Sequence, residues 1–356
     1  MIQQKSLQLR LHSPAFLGDA HQSRVWRTPP IKALLREWWR VAAAPAPAVG
    51  YNHCALRESE GLLFGNAWLE PDHAGKSRFC KSDVRIALGH WHEGKMRGWE
   101  TQDPQVPHSE VRDREGKSRL VGSHLYLGYG PLPFSMGTKI KANAALQEGE
   151  INSLDIAWPN EDTVELTHTL QLIDWFGTLG GRSRNGWGSL SLAQEPLTVD
   201  HPHLTGVLRE LKACLKLDWP HAIGSDNKGA LIWESVSAFD DWQSALKFLA
   251  ATKIGFRTSL KFEGGEPHRQ PQDRHVLAYP VTHHKVNEWG NKARLANQIR
   301  FKLVPAASNK LKARIYHTPH KSPLAIGTID ELGVWQHIHR WLDDPQNRLK
   351  RLGAKP

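Results

Sequence analysis

Leu7, Leu9 and Leu11 alternate with polar neighbours in "SLQLRLHS", the period of a half-buried strand. After the loop "PAFLGDAHQSRVWRTPP" the period lengthens. In "IKALLREWWRVAAA", Ile31, Leu34, Leu35, Trp38 and Ala42 recur every three or four residues and form one apolar stripe. Thr28 is placed to cap this helix, with Pro29 in its first turn, where a missing N–H is no loss. A second helix is predicted over 162–176, with Leu166, Leu170 and Ile173 inside, Asp162 and Glu165 at capping-box spacing, and Gly177 as its stop. Strands are predicted at "SHLYLGY" (123–129), "KIKANAAL" (139–146), "EINSLDIAW" (150–158) and "SLSLA" (189–193). Further on, helices are expected over 238–252 and 328–344, the latter opened by a Thr328/Glu331 capping box. Strands are expected at "RHVLAYPV" (274–281), "NQIRFKLV" (297–304) and "KARIYH" (312–317).

Taken in order, residues 1–195 run strand, helix, strands, helix, glycine loop, strand, which is compatible with a ferredoxin-like β-α-β-β-α-β unit. The second half repeats the element types with little residue-level similarity. The expected class is therefore α+β: two ferredoxin-like (RRM-like) domains with insertions, at 1–197 and 198–356. Residues from about 70 to 120 are rich in turn formers and mixed charge, and read as an extended insertion.

Composition narrows the function. No run of eighteen apolar residues exists, so no membrane-crossing helix is expected. The start "MIQQKSLQLRLHS" has no apolar signal core, and Cys54, Cys80 and Cys214 are widely separated and odd in number. A reducing, cytoplasmic setting follows. The net charge of +10 is unevenly spread: residues 201–356 hold 24 Lys+Arg against 14 Asp+Glu, and residues 1–200 hold 22 of each. A basic half of this kind collects phosphates by releasing their counterions. Fifteen tryptophans, many beside cations as in "REWWR" and "RNGWGS", add the residue type on which single-stranded bases stack, although most tryptophans serve as core or interface anchors.

Several chemistries are excluded. No Gly-Lys-Ser/Thr follows the glycine-rich stretch, and that stretch follows a helix and precedes a strand, the reverse of a dinucleotide fingerprint. No G-x-S-x-G elbow is present. The twenty histidines include "HWH" at 90–92, "HH" at 283–284, "HTPH" at 317–320 and "HIH" at 337–339, none with zinc-like partners, and most are expected at the surface. Neither a metal nor a cofactor is expected. What remains is "GTLGGRSRNGWGSL", residues 177–190, with five glycines, two arginines and a tryptophan. Bare glycine amides can donate to phosphate oxygens, Gly181 and Gly186 being the candidates. Arg182 and Arg184 add planar, bidentate donors. Trp187 either stacks on a base or anchors the loop to the core. In the first helix Lys32, Arg36 and Arg40 form a basic ridge with Trp39 at its edge and only Glu37 against it.

At these residues the chain resembles a known family. "GTLGGRSRNGWGS" is similar to the glycine-rich signature of the RAMP superfamily of CRISPR-associated proteins, with Gly180, Arg182, Ser183, Arg184, Gly186 and Gly188 matching. Asn185 stands where a second basic residue is common. The opening "HSPAFLGDAHQ…WRTPPIKALLREWWR" looks like the family of first subunits of type III-B (Cmr) effector complexes, through Pro14–Gly18, Pro29 with Lys32, and Arg36–Arg40. "DRHVLAYPV" at 273–281 resembles that family's second half. The resemblance implies two ferredoxin-like domains and an RNA-binding, non-catalytic subunit that contacts the 3′ portion of the crRNA and the target RNA, beside other Cmr subunits, in antiviral RNA interference. The expected RNA-binding set is Lys32, Arg36, Trp39, Arg40, Gly180, Gly181, Arg182, Ser183, Arg184, Asn185, Gly186, Trp187 and Gly188. The alternative is a metal-independent crRNA-processing endoribonuclease of the same superfamily, with His12, at the end of the first strand, as its general acid–base group.

Overall fold

The computed structural model describes residues 1–19, 21, 23–67, 79–96, 103–112, 115–133 and 145–353. In chain order the first elements are β1 (Ile2–Leu11), α1 (Thr28–Ala43), α2 (His53–Phe64), β2 (Asn66–Ala67), β3 (Phe79–Cys80) and β4 (Arg85–Leu88). There follow β5 (Gln105–Arg112), β6 (Ser118–Gly122), α3 (Ser123–Gly128), β7 (Ile151–Pro159), α4 (Thr163–Phe176) and β8 (Leu190–Ser191). After α5 (Pro202–Thr205) come β9 (Leu208–Glu210), α6 (Leu211–Cys214), β10 (Ile223–Asp226), β11 (Gly229–Ala230) and β12 (Ile232–Ser235). The chain closes with α7 (Trp242–Ser259), β13 (Ile299–Pro305), β14 (Leu311–His317), α8 (Glu331–Asp343) and β15 (Leu349–Arg351). This is an α+β protein. Within the expected 70–120 insertion, residues 70–78, 97–102 and 113–114 lie outside the described residues, and the rest carries β3, β4, β5 and the start of β6. Most of the strand expected at 139–146 also lies outside the described residues.

The chain divides into two compact units, neither of them a single run of sequence. The first takes Met1–Met96, Asn143–Gly181 and Gly188–Val207; the second takes Arg97–Ala142, Arg182–Trp187 and Leu208–Pro356. In the first, β1 pairs antiparallel with β7 along nearly its whole length, so Leu7 faces Leu154 and Leu9 faces Asn152. The sheet order is β4-β7-β1-β8. The alternation in β1 and β7 buries Leu7, Leu9, Leu11, Leu154, Ile156 and Trp158, and the apolar stripes of α1 and α4 join them, with Trp38 stacked on Phe176 at 5.5 Å. In the second unit the sheet order is β13-β14-β12-β15, again wholly antiparallel. Its core is filled by Trp233, Phe256, Phe301, Ile315 and Trp335.

Several local expectations are corrected, each by a tertiary partner. Ser123–Gly128, within the strand expected at 123–129, form the helix α3, because the Asp103 carboxylate accepts the amides of His124 at 2.7 Å and Leu125 at 3.0 Å and caps the turn from outside. Residues 274–281 open as a 3₁₀ turn over Asp273–Val276, in which the His275 ring accepts the Gln272 amide at 2.9 Å; only Tyr279 bridges to a neighbour, Leu295. Helix α2 is not visible in the periodicity. It starts on Asn52, whose side-chain oxygen accepts the amides of Cys54 and Ala55. The cap of α8 is Asp330, which accepts the Gly333 amide at 3.0 Å, while Glu331 turns to the Ser322 amide. Neither Thr28 nor the Asp162/Glu165 pair caps its helix through a side chain.

Candidate nucleic-acid interface

The glycine-rich loop is divided between the units, and the two parts do different things. Its stems belong to the first unit. The Leu179 amide donates to the Gly188 carbonyl at 2.8 Å, the Gly188 amide to Pro14 at 2.9 Å, and the Gly181 amide to Phe16 at 3.0 Å. The Ser189 amide reaches the Ser13 hydroxyl at 3.0 Å. The stems are thereby strapped to residues 13–16, which tests two of the glycines sterically. At Gly188 (φ +64) a Cβ would collide with the Leu179 carbonyl, and at Gly180 (φ +90) it would lie 2.7 Å from the Phe16 carbonyl oxygen. The "PAFLG" segment and the glycine signature, two separate matches in sequence, are the two sides of one backbone contact.

The loop's tip, Arg182–Trp187, belongs to the second unit. The Asn185 amide donates to the Arg182 carbonyl at 2.9 Å and the Gly186 amide to the Ser183 carbonyl at 3.1 Å. The expected phosphate donation from the Gly181 and Gly186 amides is therefore corrected: both bond within the protein. Asn185 is buried, donating to the Leu127 carbonyl at 2.7 Å and accepting from the Lys253 ammonium at 2.8 Å. Gly186 packs near Leu246, Leu249 and Phe301. Trp187 is fully buried, edge-on to His124 at 5.9 Å and tilted to Trp242 at 5.8 Å. Of its two readings, the anchor is the correct one.

Arg182 differs from all of these. It is exposed, and its backbone sits in the left-handed region at φ +57, a conformation that costs a non-glycine residue about 1 kcal/mol or more. Ser183 and Arg184 are half-buried, and the Arg184 carbonyl accepts the Phe301 amide at 3.0 Å, tying the tip to β13. Two cations that sequence reasoning missed stand near Arg182, both on α7. Lys253 is buried with its ammonium 5.8 Å from the Tyr126 ring centre, and Arg257 donates to the Tyr126 hydroxyl at 3.4 Å. Burial, and then the charges of Arg257 and Arg182, push the Lys253 pKa far below the ordinary lysine range. Among the described residues no carboxylate forms an ion pair with Arg182, Lys253 or Arg257.

The basic ridge of α1 is on the first unit, and α2 changes its character. Glu60, itself buried, accepts from Arg36 Nε at 2.5 Å and from Arg40 Nε and Nη2 at 2.5 and 2.7 Å. Burial raises the Glu60 pKa, but the bonds from Arg40 and Arg36 outweigh it and hold the carboxyl below its usual range. The ridge therefore faces Glu60 as well as Glu37. Lys32 is half-buried, and burial followed by the Arg36 charge lowers its pKa. Trp39, expected to stack on a base, is 4% exposed and lies edge-on to Phe64 at 5.8 Å. His12 is buried, with its Nε2 2.8 Å from the Ser191 hydroxyl. The histidines are less superficial than expected: eight of those described are buried, among them His317 and His339, whose rings meet at 3.0 Å. Among the described residues no group of three or more His, Cys, Asp or Glu side chains could hold a metal ion, and no helix is long and apolar enough to cross a membrane.

Ten chains in solved structures resemble this one. Apo Cmr1 from Pyrococcus furiosus aligns over 99% of this chain and 98% of its own, at 14% identity and a TM-score of 0.46. A chain of the type III-B Cmr-beta complex bound to cognate target RNA aligns over 96% and 99%, at 11% identity and a TM-score of 0.49. The same kind of complex with target RNA and AMPPnP, in the presence of single-stranded DNA, gives 94% and 98%, 11% and 0.48. No family model matches the chain, and no curated protein does.

Proposed function

We propose that the chain is an RNA-binding, non-catalytic subunit of a type III-B (Cmr) CRISPR effector complex, with the crRNA, its target RNA and other Cmr subunits as partners. The observation that carries this reading is Arg182: an exposed guanidinium on a strained, pinned loop tip, backed by Lys253 and Arg257, with no carboxylate pairing among the described residues. Such an arrangement favours a phosphate, because a desolvated cation cluster gains most from an anion. Each unit also carries a β-α-β-β-α-β series, β1-α1-β4-β7-α4-β8 and β12-α7-β13-β14-α8-β15, whose sheets share the order second-third-first-fourth strand. We read both as ferredoxin-like domains. His12 supports a structural role over an acid–base one, since its ring is buried and bonded to Ser191.

Backbone contacts of this kind make binding sequence-tolerant and salt-dependent, with base pairing between guide and target supplying specificity. The test is RNA binding by the full chain against its Arg182→Ala/Arg184→Ala variant across a salt series. Affinity should fall, and the slope of log K against log salt should become shallower by about 0.7 for each phosphate that the variant no longer neutralises. The RNA should remain intact in EDTA. A folded double variant with unchanged affinity and slope refutes the assignment, and a discrete wild-type cut that His12→Ala abolishes restores the nuclease.

A further inference from the structure

Both tryptophans that the sequence offered for base stacking, Trp39 and Trp187, are core residues here, 4% and 0% exposed. A stacking platform must lie elsewhere if RNA is gripped at the loop tip. Tyr129 is two-thirds exposed, at 66%, directly after α3. The turn that carries it is pinned: the Leu132 amide donates to the Gly128 carbonyl at 3.0 Å, and Tyr129 bridges to Leu132. The next residue, Gly130, bends the chain at φ +112. A Cβ on Gly130 would lie 3.4 Å from Arg182 Nη2 and 3.8 Å from its Nε. The guanidinium therefore rests over the bare face of Gly130, within about one residue's span of the Tyr129 backbone.

We propose that Tyr129, Gly130 and Arg182 form a seat for one nucleotide of single-stranded RNA, with the base on the Tyr129 ring and the adjoining phosphate on the Arg182 guanidinium. The proposal rests on the RNA-binding reading above and adds to it a base contact. An exposed phenol ring is a poor contributor to folding and a good stacking surface for any base. The missing side chain at residue 130 lets the guanidinium lie against the turn, and Arg182 stays exposed to an incoming phosphate. Lys253 and Arg257, on α7 behind Tyr126, add positive potential without covering the seat, since Tyr129 and Arg182 are both exposed.

The test uses the full chain and a short labelled single-stranded RNA in fluorescence anisotropy, with Tyr129→Ala, Tyr129→Phe and Arg182→Ala variants. A second oligonucleotide carries abasic sugars on an intact phosphate backbone. Tyr129→Ala should weaken binding about 5- to 150-fold, the range for one stacked base, without changing the salt slope. Tyr129→Phe should bind as wild type. Arg182→Ala should instead make the slope shallower by about 0.7, the value for one phosphate of a single strand. The abasic RNA should bind wild type more weakly, and Tyr129→Ala should not tell the two RNAs apart. Wild-type affinity in Tyr129→Ala overturns the seat, as does a Tyr129→Phe loss equal to that of alanine. Wild-type protein that binds no RNA at all overturns the RNA reading itself, and the seat with it.

Discussion

Lys253 is where folding and binding make opposite demands, and Lys253→Met separates them. The ammonium is buried and has one hydrogen bond, 2.8 Å to Asn185 Oδ1, with Arg257 and Arg182 raising the potential around it. Taking a charge out of water costs several kcal/mol per ion unless its partners offset it, and here the partners are one amide oxygen and two like charges. Methionine fills a similar volume and carries no charge. Against that relief stands the Asn185 oxygen left unpaired, worth about 1–3 kcal/mol. The variant should therefore be more stable than wild type by about 1 kcal/mol or more at pH 7, read as a higher urea midpoint at unchanged m. The sign of the pH dependence follows. Because the folded-state pKa is lowered, the unfolded chain binds more protons up to about pH 10, so wild-type stability rises with pH and the advantage of Lys253→Met shrinks. RNA affinity should move the other way and fall. A variant less stable than wild type, or one whose advantage does not change between pH 7 and pH 10, would refute the claim that Lys253 is a destabilised cation.

Glu60→Gln leaves Arg36 and Arg40 facing a neutral partner. Because both arginines are about two-fifths exposed, the loss should be about 1–3 kcal/mol, between surface and buried ion pairs. The Glu60 pKa is lowered in the fold, so the difference in melting temperature should be full at neutral pH and narrow as the pH falls through the carboxylate range; equal melting at pH 7 would count against the pairing. Gly188→Ala forces a methyl onto the Leu179 carbonyl at a positive φ and should cost about 3 kcal/mol or more in a denaturant melt. Wild-type stability there would mean the stem does not need its glycine.

Local periodicity carries most of the elements of seven residues or more, because burial of one face leaves its period in the sequence. The Leu7–Leu9–Leu11 alternation and the Ile31–Ala42 stripe are both core. What local pattern misses is fixed from a distance. Helix α3 depends on Asp103, 21 residues before the His124 amide it caps, and nothing within 123–129 announces that cap. Helix α2 has Gly61 within it and a short apolar set, so its propensity is weak, yet it supplies Glu60 to the α1 ridge. Lys253 and Arg257 are readable as one face of a helix four residues apart, but their neighbours Arg182 and Tyr126 come from distant parts of the chain. Exposure is the least legible quantity. Tryptophan beside arginine looks the same in sequence whether its ring faces water or the core, and both candidates turn inward.

That outcome changes the meaning of the glycines. A phosphate cradle needs amides free to donate, yet those of Gly181, Gly186 and Gly188 all bond within the protein. Glycine is required in the stems because two backbones approach there more closely than a Cβ permits. Within the second unit Asn185 fixes the tip through Leu127 and Lys253, and the Arg184 carbonyl takes the Phe301 amide, so the exposed Arg182 has little backbone freedom left to lose on meeting an anion. Rigid presentation of a guanidinium lowers the entropic cost of each phosphate contact. On the proposed reading the loop's glycines are structural, and the phosphate contact falls to Arg182 alone.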